Sequence, residues 1–189
     1  MNCANVKYCD IANGTGVRTS LFVSGCTHRC PGCFNEVAWD FSYGEPFDEA
    51  LRQKVVDSLA PSYIEGLSVL GGEPMEPANQ RALAPFLERV RAECPGKDVW
   101  VYTGDVFEEL LDPASPRRTE VTDRLLRSVD VLVDGPFVQE LKDITLRFRG
   151  SQNQRIIDVP RSLEAGRTVP WEDDPVFAQH SMGRQELHL

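Results

Sequence analysis

Ser20-Leu21-Phe22-Val23-Ser24-Gly25-Cys26 is a short apolar run that stops on glycine and cysteine, and the same figure recurs along the chain. Leu67-Ser68-Val69-Leu70 runs into Gly71-Gly72-Glu73-Pro74. Val99-Trp100-Val101 runs into Tyr102-Thr103-Gly104, and Val129-Asp130-Val131-Leu132-Val133 into Asp134-Gly135-Pro136. Near-continuous apolar strands of this kind suit a parallel sheet covered on both faces. Helical periods lie between them. Residues 47–60 place Leu51, Val55 and Leu59 on one face, and residues 79–94 do the same with Leu83, Leu87, Val90 and Cys94. Asn79 is the expected N-cap of the second helix, and Pro85 is expected to kink it or mark its first turn. Residues 119–127 read as a further short helix. Strand alternating with helix argues for an α/β fold of βαβ units, with its chemistry at the carboxyl ends of the strands. The chain is too short for an eight-fold barrel of ~250 residues, which leaves a partial barrel or an open sheet. The pattern fades near Glu164, so the expected organisation is one domain over 1–163 and an irregular C-terminal tail over 164–189.

The chain has 189 residues, 41% of them hydrophobic and 26% charged, which is ordinary globular usage and excludes a collagenous, low-complexity or wholly disordered chain. Twenty Lys and Arg against 29 Asp and Glu leave a net charge of −9. That balance argues against a nonspecific nucleic-acid binder or a binder of anionic membranes, since both want a basic surface. No apolar run approaches the ~20 residues of a membrane helix. The opening Met1-Asn2-Cys3-Ala4-Asn5-Val6-Lys7 has no apolar stretch of the secretory kind, so the expected location is cytoplasmic.

In a reducing compartment the six cysteines are poor candidates for disulfides. Three of them fall within Cys26-Thr27-His28-Arg29-Cys30-Pro31-Gly32-Cys33. A compact loop of that spacing brings three thiolates round one centre, and soft thiolates select zinc, copper(I) or an iron–sulfur cluster. A [4Fe–4S] cluster usually takes four cysteines, so three would leave one iron open to a chelating ligand. Zinc held by the three cysteines and His28 is the rival, although the short loop leaves His28 little room to turn inward. Cys94 reads as a helix-core residue, and Cys3 and Cys9 have no partner motif. His28, His180 and His188 otherwise read as surface or tail histidines.

At the next strand end, Gly71 and Gly72 let backbone approach a ligand without a Cβ in the way, and Glu73 offers a carboxylate to an ammonium group. Gly14-Thr15-Gly16-Val17-Arg18-Thr19 superficially suggests a dinucleotide loop, but a strand follows it where a helix should open, so it reads as a loop leading into the first barrel strand. The stretch from Arg147 to Arg155 is dense in donors and acceptors. It suits either a solvated loop or a face that receives an anionic or peptide group, with Arg147, Arg149, Asn153 and Arg155 as candidates.

Taken together, the motifs resemble a known family. The three-cysteine loop followed by Gly71-Gly72-Glu73-Pro74 is similar to the radical S-adenosylmethionine superfamily. The run from Asn13 to Cys26, then Cys33-Phe34-Asn35, Trp39-Asp40-Phe41, Val101-Tyr102-Thr103-Gly104, Val133-Asp134-Gly135-Pro136-Phe137 and Arg149-Gly150-Ser151-Gln152-Asn153-Gln154-Arg155, resembles the glycyl-radical-enzyme activases. Within these the pattern is similar to the group serving anaerobic (class III) ribonucleotide reductases, from about residue 5 to residue 159. The resemblance implies a partial (β/α)6 TIM-like barrel and one [4Fe–4S] cluster on Cys26, Cys30 and Cys33. The amine and carboxylate of S-adenosylmethionine would chelate the fourth iron. It implies Gly71, Gly72 and Glu73 at that amine, and backbone around Gly32, Cys33 and Phe34 near the adenine. Thr103 and Asp134 match a cofactor-side position at which sister activases hold a small cation. The implied partners are the large glycyl-radical subunit of an anaerobic ribonucleotide reductase and an electron donor such as flavodoxin or ferredoxin.

Two departures stand out. The residue before the third cysteine, often bulky and apolar in the superfamily, is Gly32, and there is no cysteine-rich insert for extra clusters. A pyruvate formate-lyase-type activase is a near alternative, though those chains are usually longer. Phe34-Asn35 stands where a 7-carboxy-7-deazaguanine synthase tends to have Asp-Thr, and an iron–sulfur electron carrier would want a fourth cysteine.

Overall fold

A computed structural model describes residues 1–177 of the chain. One seven-stranded sheet organises them. Its strands are β1 (Asn2–Asp10), β2 (Val17–Val23), β3 (Glu45–Pro46), β4 (Ile64–Gly71), β5 (Asp98–Tyr102), β6 (Val131–Asp134) and β7 (Arg155–Asp158), in the spatial order β3-β1-β2-β4-β5-β6-β7. The helices are α1 (Glu49–Ser58), α2 (Pro77–Glu93), α3 (Phe107–Leu111), α4 (Thr122–Leu126) and α5 (Val159–Ala165).

β2, β4, β5 and β6 run parallel, and their carboxyl ends lie side by side. The outer strands are antiparallel: β1 to β2, β3 to β1, and β7 to β6. This corrects the expectation of six β/α units, because only the four central strands follow that plan. The reason is connection length. A parallel crossover needs a dozen or more residues and usually a helix, whereas residues 11–16 can only turn β1 back on β2 as a hairpin. Gly14 and Gly16 make that turn with φ of 125° and 66°. The glycine-rich loop does lead into the first of the parallel strands, and β1 ahead of it went unread.

One face of the sheet presents Leu21, Val69, Val101 and Leu132 to Leu51, Val55, Leu83, Leu87 and Leu125 of the helices, forming the main core. Asp48 caps α1 by accepting the Leu51 amide at 2.9 Å. Pro77 sits at the start of α2, where its missing N–H costs nothing. Asn79 is therefore not the cap. It is buried in the first turn and donates from Nδ2 to the Ser24 and Glu73 carbonyls at 3.0 and 2.9 Å. Among the described residues no helix is long and apolar enough to cross a membrane.

The other face carries a smaller cluster of Trp100, Val131, Val133 and Ile156, covered by Phe148 and Trp171. Trp171 meets Trp100 edge to face at 5.1 Å, and Phe148 meets Trp100 at 5.2 Å. This amends the expected tail. α5 crosses the 163/164 boundary, Pro170 bridges Ile157, and Trp171 is drawn onto the sheet by the apolar ring it meets there. Residues 178–189, with His180 and His188, lie outside the described residues. Arg18 is fully buried on this face. Asp98 pairs with it at 2.7 Å, Ser68 Oγ accepts its Nε at 2.7 Å, and the Trp100 ring lies 5.4 Å away.

Candidate functional site

The site is built where the parallel strands end. After β2 the chain turns at Gly25 (φ 96°), whose amide donates to Ala38 O at 2.8 Å, while the Cys26 amide donates to Trp39 O at 3.2 Å. These bonds fold residues 24–39 into a loop over the sheet edge. Cys26 is buried and Cys30 and Cys33 are half-buried, all three as free thiols. They line one cleft of about 420 Å³. Burial pushes the Cys26 thiol up to about 11, so it stays protonated until a soft cation displaces the proton. Three thiols facing one cavity, with no disulfide among them, fit an iron–sulfur cluster. The other three cysteines do not line this cleft: Cys3 is buried in the main core, Cys9 is exposed on β1, and Cys94 packs at the end of α2.

The same cleft is lined by Gly32, Phe34, Gly71, Gly72, Glu73 and Thr103. The sequence reading therefore places nearly all of its site residues round one cavity, and Asp134 is the exception. Asp134 is fully buried behind the cleft, where its carboxylate accepts the Phe107 amide at 2.8 Å and takes Arg155 Nε at 2.9 Å. Gly135 reaches the cleft in its stead. Thr103 Oγ1 is spoken for as well, accepting the Asp105 amide at 3.0 Å.

The two glycines have a nearer reason than ligand access. A Cβ on Gly72 would lie 2.6 Å from Gly25 O and 2.8 Å from Ala38 O, and one on Gly71 would lie 2.7 Å from Val23 N. They let the end of β4 close on the loop after β2, where the Gly72 amide donates to Val23 O at 2.7 Å and the Glu73 amide to Gly25 O at 2.8 Å. At Gly32 the φ of 73° strains any L side chain, while the atom nearest its would-be Cβ is the end of the Gln139 side chain, which can swing aside. Glu73 is buried, with Oε1 accepting the Met75 amide and Oε2 the Gly104 amide, both at 2.7 Å.

His28 is no surface histidine. Its Nε2 lies 3.2 Å from Glu73 Oε2 and 3.1 Å from Asp105 Oδ1, and hydrogen bonds to Asp105 first and Glu73 second raise its pKa to about 10. It faces carboxylates rather than the thiols, which disfavours the zinc reading. Beside it Glu76 accepts Thr27 N at 2.8 Å and pairs with Arg117 at 2.7 Å. Burial works against the Glu76 charge, yet bonds from Thr27 and Arg117 outweigh it and hold the carboxyl below its ordinary value. Sequence reasoning missed Glu76, Asp105 and Arg117. The first two stand within three residues of quoted motifs, and that proximity was the available signal. Arg117 follows Pro113 and Pro116 in a connecting loop and had none.

The candidate receiving face turns mostly inward. Arg147 pairs with Asp173 at 2.5 Å and lies over the rings of Phe148 and Phe177. Arg149 Nη1 donates to Gln154 O at 2.7 Å, and Asn153 Nδ2 to Pro136 O at 2.8 Å. Arg155 grips Asp134 and Glu108. These side chains brace residues 135–154 against the sheet. Two apolar side chains of the cleft lining stand open to solvent, Phe34 at 85% and Ile144 at 90%, with Lys142 exposed beside them.

A family profile described as a 4Fe-4S single cluster domain matches residues 12–157. An anaerobic ribonucleoside-triphosphate reductase-activating protein of Haemophilus influenzae is 43% identical over 158 residues, 82% of this chain and 97% of that protein. Its counterpart in Escherichia coli K12 is 45% identical over 147 residues, 77% of this chain and 90% of that protein. The one from Enterobacteria phage T4 is 36% identical over 156 residues, 82% and 93% of the two chains.

Proposed function

Since the chain belongs to the family of anaerobic ribonucleoside-triphosphate reductase-activating proteins, with their single 4Fe-4S cluster domain, we propose that its cleft is the place where that activation is carried out. The protein activates an anaerobic ribonucleoside-triphosphate reductase through 4Fe-4S radical chemistry. The observation that carries the assignment of residues is the convergence of three free thiols, Cys26, Cys30 and Cys33, on one cleft with the ends of β4 and β5. These three would hold the cluster. With no fourth cysteine in the cleft, one iron remains for the amine and carboxylate of S-adenosylmethionine. When bound, cluster and S-adenosylmethionine would supply one-electron reductive radical chemistry, directed at a glycine of the large reductase subunit.

The chain's own residues orient and enclose. Glu73 and Thr103 fix the loops that follow β4 and β5, so that their backbone faces the cleft. Phe137 and Phe148 form an apolar wall that excludes water from a reactive site. No general acid or base is needed. The exposed Phe34 and Ile144 suit a rim that receives a loop of the partner. A small electron carrier such as flavodoxin or ferredoxin is the proposed reductant.

The test is anaerobic reconstitution followed by electron paramagnetic resonance with S-adenosylmethionine and the candidate reductase. A protein doublet that collapses when the reductase glycine is α-deuterated is the expected result. Cleavage of S-adenosylmethionine with no radical on the large subunit would turn the reading toward a small-molecule enzyme.

A further inference from the structure

We propose that Arg117 is the positioning residue of the cysteine loop, a fixed strut that holds it in register with the ends of β4 and β5. The proposal rests on the reading of that loop as the cluster loop, and adds a residue that does not touch the cleft.

One guanidinium reaches three loops. Nη2 donates to Thr27 Oγ1 at 3.0 Å and lies 3.3 Å from His28 Nε2, in the segment between Cys26 and Cys30. Nη1 pairs with Glu76 Oε2 at 2.7 Å, beyond β4. Nε donates to Asp105 Oδ1 at 3.0 Å, beyond β5. Glu76 passes the hold back to the loop by accepting both Thr27 N at 2.8 Å and Thr27 Oγ1 at 2.5 Å. The strut is preset from behind. Gln80 Nε2 on α2 donates to Arg117 O at 2.7 Å, and Gln80 Oε1 accepts the Thr122 hydroxyl at 2.6 Å. The Arg117 side chain is 17% exposed and is not part of the cleft lining, so it acts on the site only through other residues.

Two consequences separate geometry from charge. The guanidinium serves Asp105, Thr27 and Glu76 from three separate nitrogens, Nε, Nη2 and Nη1, whereas the three donors of an ammonium sit on one atom and cannot span the same positions. Arg117 is also the fixed cation beside three buried carboxylates, Glu73, Glu76 and Asp105. Without it only His28 faces Glu73 and Asp105, and the stronger residual field opposes the addition of an electron at the cysteine loop. Arg117→Lys should loosen the loop while keeping the charge; Arg117→Gln should loosen the loop and remove the charge.

Hydrogen exchange on the protein without iron reads the geometry. Exchange at the Thr27 amide and through residues 26–33 should quicken about tenfold in both variants, with the central strands unchanged. A redox titration of the reconstituted protein reads the charge. The midpoint should move to more negative potential in Arg117→Gln, by ~59 mV for a tenfold change in a one-electron equilibrium, and stay near wild type in Arg117→Lys. Unchanged exchange in residues 26–33 in either variant, or an unmoved midpoint in Arg117→Gln, overturns the proposal. Should Arg117→Gln not fold, Thr27→Ala removes only the loop end of the strut; its exchange must quicken locally, or the proposal fails. If the wild-type protein binds no iron, the cluster reading falls, and the exchange experiment still decides the strut.

Discussion

Glu73 and Gly104 meet across 31 residues of chain, the carboxylate accepting the glycine amide at 2.7 Å. The Gly-Gly-Glu-Pro motif thus binds the end of β4 to the end of β5 before any ligand arrives. Glu73→Gln keeps the shape but places an amide N–H where one of two N–H donors already points. Leaving a buried donor unmet costs about 1–3 kcal/mol. Chemical denaturation of the protein without iron should show that loss, and a variant as stable as wild type would free Glu73 for a purely ligand-binding role.

Gly72→Ala should destabilise the protein whether or not S-adenosylmethionine is present. Its Cβ would press on the Gly25 and Ala38 carbonyls, and backbone cannot swing aside as a side chain can. Overpacking of this kind costs about 1–3 kcal/mol. The check is the melting temperature of the iron-free protein; an unchanged value would return the glycine to ligand access alone.

Arg155→Met leaves Asp134 fully buried with the Phe107 amide and no cation. Removing one partner of a buried pair costs about 3–5 kcal/mol, and here the half-exposed arginine sets the lower end. The double variant Arg155→Met with Asp134→Asn should recover part of the loss in the same denaturation assay. No recovery would mean that Arg155 stabilises by packing rather than by charge.

Glu108 ties the same arginine to the C-terminal segment through Thr168. The hydrogen bond from Arg155 is the main cause that holds its carboxyl down to about 2, from an ordinary 4.5. A depressed carboxylate stabilises the fold above its unfolded value, and that contribution drains away as pH falls from about 4.5 toward 2. Stability curves of wild type and Glu108→Gln should therefore converge over that window. The gap should also shrink in high salt, because the pair is largely exposed. Parallel curves from pH 6 to pH 2 would contradict the pairing.

Trp171→Ala should uncover Trp100 and lower stability by about 2 kcal/mol, less than a fully buried tryptophan would cost. The remaining tryptophan fluorescence should shift to the red. A variant with wild-type melting and emission would show that the segment lies on the sheet without holding it.

The four parallel strands and their polar ends were legible because each is a dense apolar run closed by glycine, and a buried parallel strand has to look like that. β1 escaped because only Asn2 and Cys3 of it are covered by β3, so the strand alternates loosely and carries Asn2, Asn5, Lys7 and Asp10. β7 escaped because Arg155-Ile156-Ile157-Asp158 has only two apolar residues between charged ends, inside a stretch dense in polar side chains. Residue types able to ligate a cluster are few, so Cys26, Cys30 and Cys33 announced themselves as the proposed ligands. The residues that hold the loop are common ones meeting at long range: Arg117 reaches Thr27 across 90 positions, and nothing local to either residue encodes the meeting. Glycine misled in an instructive way, since an absent Cβ tells that something comes close but not whether it is ligand or chain.

The register of β6 with β7 puts Asp134 directly opposite Arg155, so the ends of residues 135–154 are pinned side by side. That segment supplies Phe137, Ile144 and Phe148 to one wall of the cleft, yet it enters and leaves the sheet at a single clasp. Length and composition can change inside such a closed loop with little effect on what lies outside it. The tip of the wall is thus an interchangeable part: lineages can refit exposed positions such as Ile144 to a different partner protein, while Phe148 on Trp100 and Gln139 beside Gly32 stay matched to the strands and the cysteine loop.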